Sequence, residues 1–155
     1  LENIRMLNGN TNKIWKLLET VPDPEIPVIS VVDLGVVREI KNNKNRIIIT
    51  ITPTYSGCPA MKTIQEDIKD CLIKNNVLNF ELNIKYSPAW TTEWMSKKTK
   101  DKLLEYGISP PSKKTICPQC KSENVKLVSE FGATACKSFY TCSDCLEPFE
   151  SFKCI

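Results

Sequence analysis

Arg46-Ile47-Ile48-Ile49-Thr50-Ile51-Thr52-Pro53-Thr54-Tyr55-Ser56-Gly57-Cys58-Pro59 is the stretch on which the fold of the first part of the chain turns. Residues 46–51 are rich in β-branched side chains, which suit the pleated surface of a strand. Pro53, Ser56 and Gly57 punctuate the end of that strand. Pro59 fits the first helical position, where its missing N–H would have lacked a partner anyway. A helix is therefore predicted over about 59–75, with Met61, Ile64, Ile68, Cys71 and Leu72 on its apolar face. On that face Cys71 reads as core.

Working outward, residues 36–40 form a short strand, and Asn42-Asn43 turns it back onto 46–51 as a hairpin. A third strand, 80–86, follows the helix. Strand–helix–strand order predicts that it lies parallel to 46–51 through a right-handed crossover. An earlier helix over 11–20 carries Ile14, Trp15, Leu17 and Leu18, is capped by Thr11 or Asn12, and ends at the prolines of 22–27. After Ser87-Pro88-Ala89-Trp90, two short helices fit 91–95 and 96–106, the second stopped by Gly107. Trp90 and Trp94, four apart, are placed on one helical face, for the core or for a dimer contact. The expected fold is α/β: a small mixed sheet with helices packed on it over 11–109. Pro110-Pro111-Ser112-Lys113-Lys114 reads as a linker to a C-terminal zinc ribbon at 115–155 with strands near 125–131, 138–141 and 149–152.

The ribbon rests on cysteine arithmetic. The chain has eight cysteines and no histidine, and six of the cysteines fall between Cys117 and Cys154. Cys117-Pro-Gln-Cys120 and Cys142-Ser-Asp-Cys145 are two C-x-x-C hooks, which together offer four soft ligands for a structural zinc. A tail this short needs such a staple, because it cannot bury a core large enough alone. The 21 residues between the inner cysteines slightly exceed the usual ribbon interval, which an extra loop absorbs. Cys136 and Cys154 are left over. They could pair with each other, replace a ligand, or stand near Cys58.

Composition excludes much. Without imidazole there is no Ser/His triad, no His-based zinc hydrolase and no carboxylate–histidine di-iron site. Net charge is +3, split as 15 Lys+Arg against 13 Asp+Glu in residues 1–112 and 6 against 5 in residues 113–155. That is no basic face for nucleic acid. No apolar run approaches a membrane span and no signal peptide is evident. Paired thiol knuckles without a secretory signal point to the cytoplasm and to metal rather than disulfides.

Cys58 draws attention because it sits between a glycine and a helix start, where free N–H groups favour a thiolate. Thr52, Thr54, Tyr55 and Ser56 surround it in sequence with hydroxyls. An ordinary buried cysteine at a strand–helix junction is the plainer reading. As a nucleophile it would need a base, and only Asp23, Glu25 or Asp33 could serve. As a ligand of iron it needs only its charge and an open face, with a second chain or a partner completing the set. Asp23-Pro24-Glu25 and Asp33-Leu34-Gly35 by themselves read as turns.

These two motifs, with Thr54-Tyr55-Ser56-Gly57-Cys58-Pro59, resemble in order and spacing the iron–sulfur assembly domain family that includes SufT. Ser87-Pro88-Ala89-Trp90-Thr91-Thr92-Glu93-Trp94-Met95, Phe131-Gly132-Ala133-Thr134-Ala135-Cys136-Lys137 and the ending from Cys145 to Ile155 extend the likeness to the PaaD (PaaJ) family. That family comprises accessory subunits of the phenylacetyl-CoA epoxygenase in phenylacetate degradation. The resemblance implies a non-catalytic protein that delivers or inserts an iron–sulfur cluster, often as a homodimer. It implies Cys58 as the cluster-binding thiol, with Asp23, Glu25, Asp33 and Thr54 about its pocket. The implied partners are the reductase or the di-iron component of the oxygenase. A structural subunit without cluster transfer, or a Cys58-dependent thiol oxidoreductase, are the competing functions.

Overall fold

The computed structural model describes residues 11–155. They fall into two compact units, one ending at Trp90 and the other running Thr91–Ile155.

The first unit begins with helix α1, Thr11–Leu18, whose Ile14 and Leu18 point into the core one turn apart. An irregular loop, 19–36, leads to strand β1, Val37–Asn43, and strand β2, Arg46–Ile51. These pair antiparallel, with Asn43 opposite Arg46 and a bulge between Val37 and Glu39. The hairpin turn is Lys44-Asn45, not the expected Asn42-Asn43. Both residues have positive φ, 49° and 69°, the torsions a two-residue turn needs to follow the strand twist. Helix α2, Ala60–Lys74, then crosses back to strand β3, Phe80–Ile84, which pairs parallel with β2 from Ile47–Phe80 to Ile51–Ile84. Ile47, Ile49 and Ile51 alternate onto the covered face of the sheet, each fully buried. Ile64, Ile68 and Leu72 of α2 join them in the core.

Cys71 departs from expectation. It lies at the margin of the α2 apolar stripe, half-buried, with its thiol donating to the Leu17 carbonyl at 3.5 Å. Trp90 departs too: it precedes the 3₁₀ turn Thr92–Trp94, so the two tryptophans share no helical face.

The second unit opens with that turn and helix α3, Lys97–Tyr106. Ser96 caps α3 by accepting the Thr99 N–H, and Gly107, at φ 100°, ends it in the left-handed conformation. Four strands follow: β4, Ile108–Ser109; β5, Val125–Ser129; β6, Lys137–Cys142; and β7, Pro148–Phe152. Their order is β4-β7-β6-β5, with β4 parallel to β7 and the rest antiparallel. The division after Trp90 therefore differs from the boundary expected at 110–114. The reason is pairing: β4 takes its partner from the ribbon, and Thr91 and Thr92 hydroxyls donate to the Ile155 carbonyl at 2.6 and 3.1 Å. Among the described residues no helix is long and apolar enough to cross a membrane.

Candidate functional site

Two sulfur sites stand out, one in each unit. In the first, the turn after β2 delivers Cys58 to the carboxyl end of the parallel β2–β3 pair, where α/β folds commonly place their chemistry. Gly57 takes φ 78°, and a Cβ there would meet nothing within 4 Å, so the glycine answers a torsional need rather than a close approach. The Cys58 carbonyl, not its sulfur, accepts the Met61 N–H at the start of α2, at 3.2 Å. The sulfur accepts instead from the Thr54 hydroxyl at 3.8 Å. Cys58 is half-buried, as is Cys71.

Loop 19–36 reaches the same end of the sheet. Thr52 N–H donates to the Val36 carbonyl at 2.8 Å, and the buried Trp90 indole donates to the Leu34 carbonyl at 2.9 Å. The acidic residues of this loop do structural work. Asp23 is buried, and its Oδ1 accepts the N–H groups of Glu25 and Ile26 at 2.9 and 2.8 Å. Ser30 and Asp33 cap each other reciprocally, each backbone N–H donating to the other's side chain at 3.0 Å. Glu25 is exposed. These bonds close within the loop, so they shape the surroundings of Cys58, and Thr54 is the predicted pocket residue bonded to its sulfur.

The second unit brings Cys117, Cys120, Cys142 and Cys145 together, all four sulfurs within 4.8 Å of one another. The Cys117–Cys145 and Cys120–Cys142 sulfurs are 3.6 Å apart. That is far beyond the roughly 2.05 Å of a disulfide. It matches the edge, about 3.8 Å, of a tetrahedron whose centre lies about 2.3 Å from each sulfur, the zinc–thiolate length. The donor set fits a tetrahedral soft metal.

The knuckles repeat one geometry. Cys117 N–H donates to Ser122 O and Lys121 N–H to Cys117 O, both at 2.9 Å; Cys142 N–H donates to Glu147 O at 2.9 Å and Leu146 N–H to Cys142 O at 3.0 Å. Lys121 and Leu146, each following a second cysteine, both take φ 65°. Asp144 ties the two together, accepting from the Ser122 hydroxyl and from Asn124 Nδ2. Those two donors hold its carboxyl below the usual range. Composition gave no hint of this clamp, although Ser122, Asn124 and Asp144 all flank C-x-x-C hooks.

Backbone donors also sort the metal-free thiols. The Cys145 N–H, 3.5 Å from the Cys142 sulfur, leads in lowering that thiol to about 7, with the Asp144 N–H helping. Cys145 has one such donor, the Glu147 N–H, and desolvation with three adjacent thiols overrides it and pushes Cys145 up to about 12. Cys117 and Cys142 are buried beside Phe149, whose ring stacks on Tyr140 at 5.8 Å, so the metal and a small apolar cluster share one support.

Cys136 and Cys154 stand outside the four-sulfur group among the described residues. Cys136 is buried with its sulfur 3.0 Å from the Thr134 hydroxyl, whereas Cys154 is exposed. Neither is in a disulfide.

Comparison with known proteins matches each unit. The family model for the iron-sulfur cluster assembly protein covers residues 11–75, and that for the PaaD zinc beta ribbon domain covers 107–153. The chain is 43% identical over 153 residues to a subunit of the "Putative 1,2-phenylacetyl-CoA epoxidase" of Escherichia coli (strain K12), covering 93% of each. It is 33% identical to the Fe-S protein maturation auxiliary factor SufT of Staphylococcus aureus, over 57% of this chain and 99% of that one. Among solved structures, a domain of unknown function from Bacillus anthracis superposes with TM-score 0.56 at 37% identity, covering 59% of this chain and 89% of its own. A conserved hypothetical protein from Thermotoga maritima gives TM-score 0.52 at 29% identity, over 61% and 93%.

Proposed function

Because this chain belongs to the PaaD family of phenylacetyl-CoA epoxidase subunits, we propose that it is a non-catalytic maturation factor for that ring-epoxidising monooxygenase. Its first unit is of the iron–sulfur assembly family, and its role is in iron–sulfur protein maturation. The finer reading is that it delivers or inserts an iron–sulfur cluster, carried as cargo on Cys58. The observation that carries this reading is the position of Cys58: half-buried rather than enclosed, fixed between a left-handed Gly57 and the start of α2, with a hydroxyl on its sulfur. One thiolate cannot complete a cluster, so a second copy or the client supplies the other ligands. The clients are the reductase or the di-iron component of the oxygenase, met in the cytoplasm. Asp23, Glu25 and Asp33 act by shaping the loop beside the thiol.

Cys117, Cys120, Cys142 and Cys145 hold a structural zinc, which supplies folding energy to the ribbon and no chemistry. Anaerobic reconstitution with iron and sulfide tests the assignment. Thiolate-to-iron absorption is expected in the natural chain and lost in Cys58→Ser, with zinc content unchanged. An undiminished spectrum in the variant contradicts it. The name carried by the E. coli relative, that of an oxygenase component, favours a second reading: a permanent structural part of the complex. Co-purification with the oxygenase at fixed stoichiometry, equal in Cys58→Ser, supports that reading instead.

A further inference from the structure

The second unit contains a cleft of about 520 Å³ that neither sulfur site uses. Its size falls within the roughly 300–1,000 Å³ range of small-molecule sites. Ser138 of β6 and Ser151 of β7 are directly opposite and so share one face of the sheet, and Tyr140, two residues along, shares it too. All three line the cleft. The Ser138 hydroxyl donates to the Glu130 carbonyl at 3.2 Å. Ser151 is only 5% exposed, and its hydroxyl makes no hydrogen bond to any described residue. Buried hydroxyls are nearly always paired, so one lining a cleft calls for a ligand atom or an ordered water.

The rest of the lining says what kind of ligand. Lys113 and Lys153 line the cleft with a single carboxylate residue, Glu130, and no arginine, and the Lys153 ammonium lies 4.4 Å over the Phe131 ring. The arginine fork serves carboxylates and phosphates alike, but lysine binds phosphate as a point charge, and hydroxyl donors beside it add hydrogen bonds to the phosphate oxygens. Leu127, 45% exposed, and the Tyr140 ring offer apolar surface to a less polar remainder. We propose that this cleft binds a small phosphate-bearing molecule, with Ser151 as a donor on its floor and Lys113 and Lys153 at its charged walls.

Cys154 lines the same cleft and supplies the readout. Its neighbours are anchored: Lys153 N–H donates to the Cys136 carbonyl at 2.9 Å, and Ile155 N–H to the Thr92 hydroxyl at 3.2 Å. Its rate of alkylation therefore reports access to the cleft. The zinc-loaded full chain is treated with iodoacetamide, an uncharged reagent, with pyrophosphate, ADP or citrate at matched ionic strength. Modification of Cys154 and of Cys58 in the same molecules is quantified by peptide mass spectrometry.

Pyrophosphate or ADP should slow labelling of Cys154 several-fold while leaving Cys58 unaffected. Stronger protection by ADP identifies an organic phosphate, and equal protection identifies the phosphate group alone. Ser151→Ala and the exposed Lys113→Ala should each weaken the protection. The proposal is overturned if neither phosphate compound protects Cys154, if Cys58 is protected equally, if citrate matches them, or if both variants leave protection intact. Because Cys58 serves only as a reference here, failure of this test leaves the cluster-carrier reading standing.

Discussion

At position 146 a leucine does what glycine does more cheaply. Leu146 holds φ 65° in the second knuckle and is 74% exposed, so its side chain contributes little packing. A left-handed L-residue costs about 1–2 kcal/mol, of which glycine's extra unfolded-state freedom returns about 0.5–1. Leu146→Gly should therefore stabilise the zinc-loaded ribbon by about 0.5–1 kcal/mol in denaturant unfolding; a loss of stability contradicts the strain assigned to the knuckle. Residue chemistry was the most legible level for the four zinc-type cysteines, because C-x-x-C spacing forces two sulfurs onto one hook. It was less legible for Asp23 and Asp33. By themselves they read as turn residues, and their carboxylates are engaged by nearby backbone N–H groups as such residues usually are; the pocket role came from the family resemblance.

At the level of elements, the turn 130–136 before β6 is fixed by a half-buried ion pair. Lys137, with 5% of its side chain exposed, meets Glu150 of β7 at 3.5 Å, and the other Glu150 oxygen accepts the Ala133 N–H at 2.8 Å. A Cβ on Gly132 would sit 2.2 Å from that same oxygen. The carboxylate cannot move aside without giving up these partners. Gly132→Ala should thus cost about 1–3 kcal/mol through the freed Lys137 and Ala133 groups, read as a lower denaturant midpoint for the ribbon. A neutral effect would show that Glu150 has another place to go. The β2–α2–β3 crossover was readable because its apolar periods are local. Strand β4 was not, since two residues carry no period and form a strand only by pairing with Glu150 and Ser151. The hairpin turn slipped by two residues because Asn42 and Asn43 are as acceptable in a turn as Lys44 and Asn45, and register was settled by packing Ile40 and Ile49 inward.

For the whole molecule, zinc removal should separate the two units. A chelator strips the second unit of its staple, so hydrogen exchange should rise through β5–β7 while β1–β3 stay protected. Uniform exchange across both would show that the units unfold together. Acid should act in the same sense. Metal-bound sulfur must be deprotonated, so protons compete with zinc at every pH. Cys145, about 12 without metal, releases its proton to bind, whereas Cys142, about 7, is ionised only above that value. Zinc retention should therefore fall as pH drops, more steeply below about 7, measured by transfer to a chromophoric chelator. A flat profile through that region contradicts the ordering of these thiols.

Sequence alone determined the mixed α/β core, the crossover helix, the stop at Gly107 and the pairing of two cysteine hooks. Each depends on periodicity or spacing within a few neighbouring residues, where local sterics decide. Tertiary structure alone decided that residues 91–109 belong with the ribbon, that Cys71 lies at a margin, that Asp144 clamps both knuckles and that Ser151 is buried beside a cleft. Those outcomes arise from contacts between segments distant in the chain, and no local pattern encodes which distant partner a strand edge or a hydroxyl will meet.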